Sequence, residues 1–247
     1  VTGEVDMAGG DIDLTAEVLT NGSDALLKAS ALYLNDIKTV GSESGWIKTN
    51  IENLYIINSG NVYINEVDSI NIARLDQANN IYVSAGNISG TAALVSDGAL
   101  SLNARNGDVV LDTDNRLSGR LNLSASGIVN INNLTSTELG DVTANNLTLN
   151  SVGDIFGKGV VRVHQDAIFQ SPGADINLSG ANDFSHLEII SANYASVNDI
   201  NTLLIENSHT DVAMNISANG LQVSNVSAGA LLNLDAGSGS LAGSGLV

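Results

Sequence analysis

Five of the six Tyr and Trp residues, Tyr33, Trp46, Tyr55, Tyr63 and Tyr82, lie within one fifty-residue stretch; the sixth is Tyr194. Exposed aromatic faces with polar tips grip sugar rings, so these five form the candidate carbohydrate-binding set if their rings point outward. Tyrosine also suits strands. A purely structural ladder of stacked rings, at about 0.5–1.5 kcal/mol per pair, accounts for the same residues.

Other chemistry is thinner. His164, His186 and His209 fall 22 and 23 residues apart, a spacing at which they could stack, but none has a local metal-ligand partner. Asp112-Thr113-Asp114-Asn115 begins like a calcium loop, then places Arg116 where an oxygen ligand belongs and lacks the following Gly and distant Glu. It reads as a solvated corner. Polysaccharide lyases and hydrolases need carboxylates gathered in a cleft, and Asp97, Asp108, Asp112 and Asp114 are the nearest approach to such a group. No cofactor and no metal site is expected, and the chain does not read as an enzyme. Several Asn-X-Ser/Thr sequons, among them those at Asn87, Asn122, Asn133 and Asn146, are expected by chance in a chain rich in these residues.

The tyrosines are centres of apolar triplets: Leu32-Tyr33-Leu34, Leu54-Tyr55-Ile56, Val62-Tyr63-Ile64 and Ile81-Tyr82-Val83. The last two open a longer column that continues through Leu100-Ser101-Leu102, Leu121-Asn122-Leu123, Val142-Thr143-Ala144 and Val161-Arg162-Val163, with steps of 19, 19, 21, 21 and 19. Strand side chains alternate between faces, so each triplet reads as a short strand with two side chains inward and one outward. The triplets centred at 13, 33 and 55 form a second series on another face. A spacing of 8, as between Tyr55 and Tyr63, nested in a period near 20 implies two or three strands per coil. The expected fold is all-β, a parallel β-helix of about 20 residues per coil, with almost no helix. Asn21-Gly22-Ser23-Asp24 and the Gly/Ser-rich stretch 41–45 read as turns. The pattern is less regular from about residue 165, and the glycine- and serine-rich end reads as a boundary or as flexible sequence.

Composition narrows the setting. With 43% hydrophobic but only 4% aromatic residues, the core must be aliphatic. A net charge of −18 disfavours nucleic acid and anionic membrane surfaces as partners, and no apolar run approaches the length of a spanning helix. Zero cysteine in a strand-rich acidic chain fits a protein exported unfolded. No signal peptide is visible, and residues 1–247 read as one β-helix segment cut from a longer protein.

The stretches Asn182-Asp183-Phe184-Ser185-His186-Leu187-Glu188-Ile189, Ala195-Ser196-Val197-Asn198-Asp199-Ile200-Asn201-Thr202-Leu203-Leu204-Ile205 and Gly153-Asp154-Ile155-Phe156-Gly157 resemble the repeats of filamentous-haemagglutinin-like exoproteins, the large bacterial adhesins of two-partner secretion. The resemblance extends loosely over most of the chain. It implies a right-handed β-helical shaft, secreted or displayed on the bacterial surface. Such shafts attach to host receptors or glycans, hold exopolysaccharide in a biofilm matrix, or carry contact-dependent toxins. It also implies an outer-membrane transporter that recognises an amino-terminal domain with an Asn-Pro-Asn-Gly-like motif, which this sequence lacks. An adhesive shaft is the expected function; a polysaccharide-processing β-helix enzyme and a toxin-delivery rod are the alternatives.

Overall fold

A polar residue between two aliphatics makes a half-buried strand, and a column of such strands buries its aliphatics only if each stacks on the next. A computed structural model of the chain, which describes residues 3–22 and 25–246, has this arrangement. The described residues form strands and no helix, with parallel strands stacked as a β-solenoid of about 19 residues per turn. Val1 and the expected turn residues Ser23 and Asp24 lie outside the described residues. The chain divides into two compact units, Val1–Ser126 and Gly127–Val247.

In the first unit the triplet column is a true register. Tyr63 is opposite Tyr82, Tyr82 opposite Ser101, and Ser101 opposite Asn122. The flanking Val62, Ile64, Ile81, Val83, Leu100, Leu102, Leu121 and Leu123 are all buried. The second series registers separately, with Asp13 opposite Tyr33 and Tyr33 opposite Tyr55. The inward/outward phase can be tested directly. Leu123→Ala is expected to cost about 2–5 kcal/mol as a buried large-to-small change. Asn122→Ser, whose side chain lies outside and donates to Ser101 Oγ at 3.1 Å, should cost less than about 1 kcal/mol in urea unfolding. Equal costs would mean the phase is wrong.

One turn carries an excursion. Val40 pairs with Val62, and Ile47 with Ile64. Six residues, 41–46, therefore stand where the next turn has only Tyr63. The loop closes on itself through Ser42 N donating to Gly45 O (3.0 Å) and Gly45 N to Ser42 O (3.1 Å). Gly41 starts it at φ +68, a conformation that favours glycine. This excursion explains the 22-residue step from Tyr33 to Tyr55; the next turn, from Ile47 to Ile64, takes 17.

A corner of the same unit is held by backbone contact between turns. A Cβ on Gly98 would sit 1.0 Å from the Asn79 carbonyl oxygen, and one on Gly119 2.0 Å from that of Gly98. Elsewhere the corners are pinned from inside. Fully buried Asn115 accepts from Leu94 N (2.9 Å) and donates to Leu111 O and Thr113 O, both at 2.8 Å.

In the second unit, Thr143 is opposite Arg162, and strands continue to Leu241–Leu246. The irregularity past residue 165 consists of bulges, not of lost strand. Val163 pairs with Phe184 and Asp166 with His186, so His164 and Gln165 face a single residue, Ser185. Ile190 is the extra residue of a second bulge, between Phe169/Ile189 and Gln170/Ser191. The glycine-rich end is neither boundary nor loop: Leu241 and Gly243 pair with Leu221 and Val223. Backbone pairing needs no side chain, so a regular neighbouring turn can order a glycine-rich strand.

Candidate functional site

Outward positions two apart in sequence lie on one face of a strand, so neighbouring columns run side by side. On the first unit one column carries Tyr63 and Tyr82, and the next carries Lys48, Asn65, Ser84 and Asn103, each opposite the one before. The two tyrosine rings stack at 4.4 Å and 3°. Trp46, at the end of the excursion, meets Tyr63 edge-on at 5.9 Å and Tyr82 at 6.5 Å. Its indole N–H donates to Glu43 O at 3.2 Å, which fixes the ring against the loop.

The five sequence-predicted residues thus fall into two groups. Trp46, Tyr63 and Tyr82 form one cluster. Tyr33 and Tyr55 stack with each other at 4.3 Å and 13° in the other series. All four tyrosines were expected to present open rings. Tyr63 does not: at 8% exposure it is covered by Trp46 and Tyr82, and this burial pushes its hydroxyl above its ordinary pKa. Trp46 and Tyr82 remain partly exposed.

Beside Trp46 lies a groove of about 610 Å³, floored by the Asn65, Ser84 and Asn103 column and walled on the far side by Arg105. Arg105 spans two turns. Its Nη1 donates to Asn65 Oδ1 (2.9 Å) and Ser84 Oγ (3.0 Å), and its Nη2 to the backbone oxygens of Glu66 (2.6 Å) and Val67 (3.2 Å). Below it, the fully buried Glu66 turns inward. Its Oε2 accepts from Thr49 Oγ1 (2.7 Å) and Ile51 N (3.1 Å), and its Oε1 from Val67 N (2.8 Å) and Asp68 N (3.3 Å). Burial pushes the Glu66 carboxyl above its ordinary pKa, against the pull of these four hydrogen bonds.

Neither Arg105 nor Glu66 was singled out from the sequence. The signal was there: stepping by two from Tyr63, Tyr82 and Ser101 reaches Asn65, Ser84 and Asn103, and two more reaches Arg105.

The remaining candidates are dispersed. The histidines share no column: His164 lies in a bulge, His186 bonds to Asp166 (Nδ1 to Oδ1, 2.8 Å), and His209 is opposite Ser227. Asp112 and Asp114 face solvent while Asn115 is locked inside the turn, so the calcium-like run is split between surface and core. Asp97 accepts from Ser118 Oγ at 2.6 Å. Among the described residues no three His, Asp or Glu side chains are grouped to hold a metal ion. The sequon residue Asn133 is fully buried.

Residues 59–124 and 126–190, a little over half of the chain, match a family described as repeats of unknown function (DUF5649). The break between the two matched stretches falls beside the boundary of the two compact units. No curated protein and no solved structure matches the chain.

Proposed function

We propose that this chain, which belongs to the DUF5649 family of repeats, is a structural and adhesive shaft segment of a large secreted bacterial adhesin of the filamentous-haemagglutinin-like kind. On this reading it reaches the cell surface through the outer-membrane transporter of a two-partner pathway, which recognises a separate amino-terminal domain. There it holds an exopolysaccharide or a host glycan. The observation that carries the reading is the Trp46–Tyr63–Tyr82 cluster, presented beside a polar column on a turn-paired scaffold. A parallel solenoid keeps such a cluster rigid, because each strand is paired with the turn beside it.

The test is retention of the purified chain in gels containing neutral or acidic polysaccharides, beside its melting temperature. Trp46→Ala combined with Tyr82→Thr is expected to abolish retention. The variant removes the Tyr63–Tyr82 stack and both Trp46 edge contacts, so at about 0.5–1.5 kcal/mol per ring pair the stability loss should be about 1.5–4.5 kcal/mol. Retention unchanged in the variant, or absent from the unmodified chain on every polymer, overturns the reading. Polysaccharide turnover that disappears in Asp112→Ala or Asp114→Ala would put an enzyme in its place.

A further inference from the structure

Nine cations stand against 27 acidic residues in the chain, and two of the nine, Lys48 and Arg105, line the groove beside Trp46. Three other cations of the same unit sit on carboxylates: Lys28 on Asp6, Lys38 on Glu17 and Arg74 on Asp76. Arg105 differs. Each of its four hydrogen bonds goes to a neutral oxygen, so it is held in place by groups that leave its charge uncompensated. Its Nε–H remains as a donor. The nearby Glu66 carboxylate faces inward, occupied by Thr49 and three backbone N–H groups.

The floor is equally specific. Arg105 uses Asn65 Oδ1 and Ser84 Oγ, and Asn103 Nδ2 reaches Ser84 Oγ at 3.5 Å. This leaves the Asn65 amide NH2 as a donor and the Asn103 carbonyl oxygen as an acceptor, both without a partner in the protein. Asn65 and Asn103 lie two turns apart, about 9.6 Å at about 4.8 Å per turn, comparable with the length of two sugars of an extended hexose chain.

From these observations we infer that the groove takes a segment of a linear anionic polysaccharide, lying along the solenoid axis with a sugar ring against Trp46 and an acidic substituent at Arg105. The inference rests on the glycan-binding reading and narrows it to one class. The net charge of −18 does not oppose it at physiological salt, where charges farther than about 8 Å are screened and the local charge of Arg105 decides.

The experiment is affinity electrophoresis of the unmodified chain in gels containing polygalacturonate or its fully methyl-esterified form, which keeps the backbone and removes the charge. Dextran and cellulose derivatives serve as neutral controls. Polygalacturonate is expected to retard the chain with about tenfold higher affinity than the ester, because charged hydrogen bonds are lost on esterification. That advantage should shrink on raising the salt to about 0.5 M. Arg105→Lys should keep part of it and Arg105→Gln lose it. Both Arg105 variants give up hydrogen bonds between turns, so the comparison of polymers on the unmodified chain decides if either unfolds. Equal retention by polygalacturonate and its ester, or retention by neutral polymers alone, overturns the anionic assignment and leaves the glycan reading standing. Retention by no polymer overturns both.

Discussion

Gly98→Ala is expected to destabilise the first unit by about 3 kcal/mol or more, at or beyond the upper end of what overpacking usually costs. The added Cβ would fall 1.0 Å from the Asn79 carbonyl oxygen, which belongs to the backbone of the preceding turn and cannot rotate away. Relief requires the two turns to separate at that corner, which strains the ladder between Ile81–Ala85 and Leu100–Ala104 next to it. Gly173→Ala is the control. Gly173 has φ +70 and open space around its Cβ position, so its substitution carries only the conformational cost, about 1 kcal/mol. Urea unfolding midpoints of the two variants separate contact from conformation. Equal midpoints would mean that the corner yields easily and that glycine is not required there.

The second large effect is expected at Glu66. In Glu66→Gln one carboxylate oxygen becomes an NH2 group, yet every hydrogen bond to this side chain comes from a donor. If the NH2 takes the Oε2 position, the Thr49 hydroxyl can rotate to accept from it, but the Ile51 N–H loses its acceptor inside the core. The expected cost is about 1–3 kcal/mol at neutral pH, that of one unsatisfied buried group. The pH dependence has a definite sign. A carboxyl whose folded pKa is raised binds more protons folded than unfolded, between its ordinary value and the raised one. Stability is therefore greater below that window and falls as pH rises through it. Asp199, also raised by burial, acts with the same sign in the second unit. Unfolding midpoints at about pH 5 and about pH 7.5 should show the unmodified chain more stable at the lower pH, and a smaller difference in Glu66→Gln. A midpoint that drops on acidification would show that the four hydrogen bonds outweigh burial at Glu66.

The columns were legible from the chain because aliphatics such as Ile81 and Val83 must point inward, and their phase then dictates which residue is opposite which. Legibility failed where one extra residue changed the phase. His164-Gln165 facing Ser185 alone shifts every later pairing of that strand, and no periodicity in the sequence marks a bulge. It failed again at residues 241–246, where low side-chain content suggested loop but the ladder is supplied by the neighbouring turn. The aromatic cluster was half legible. Tyr63 and Tyr82 follow from the period, whereas Trp46 joins them only because a six-residue loop folds back over one position, a tertiary contact with no sequence spacing. Arg105 was missed for a different reason: three of its four hydrogen-bond partners are 38 to 40 residues away in the sequence, and the fourth, Ser84, is 21 away.

Because residues 41–46 leave and re-enter the strand without disturbing the pairs Val40–Val62 and Ile47–Ile64, the adjoining turn is blind to how long that loop is. Loop length and sequence are thereby uncoupled from the frame, much as hypervariable segments are carried on an unchanging immunoglobulin sandwich. Such a site is open to diversification: grafted or drifted sequences between Val40 and Ile47 can re-specify what the neighbouring groove recognises, while the register and the aliphatic interior are inherited intact.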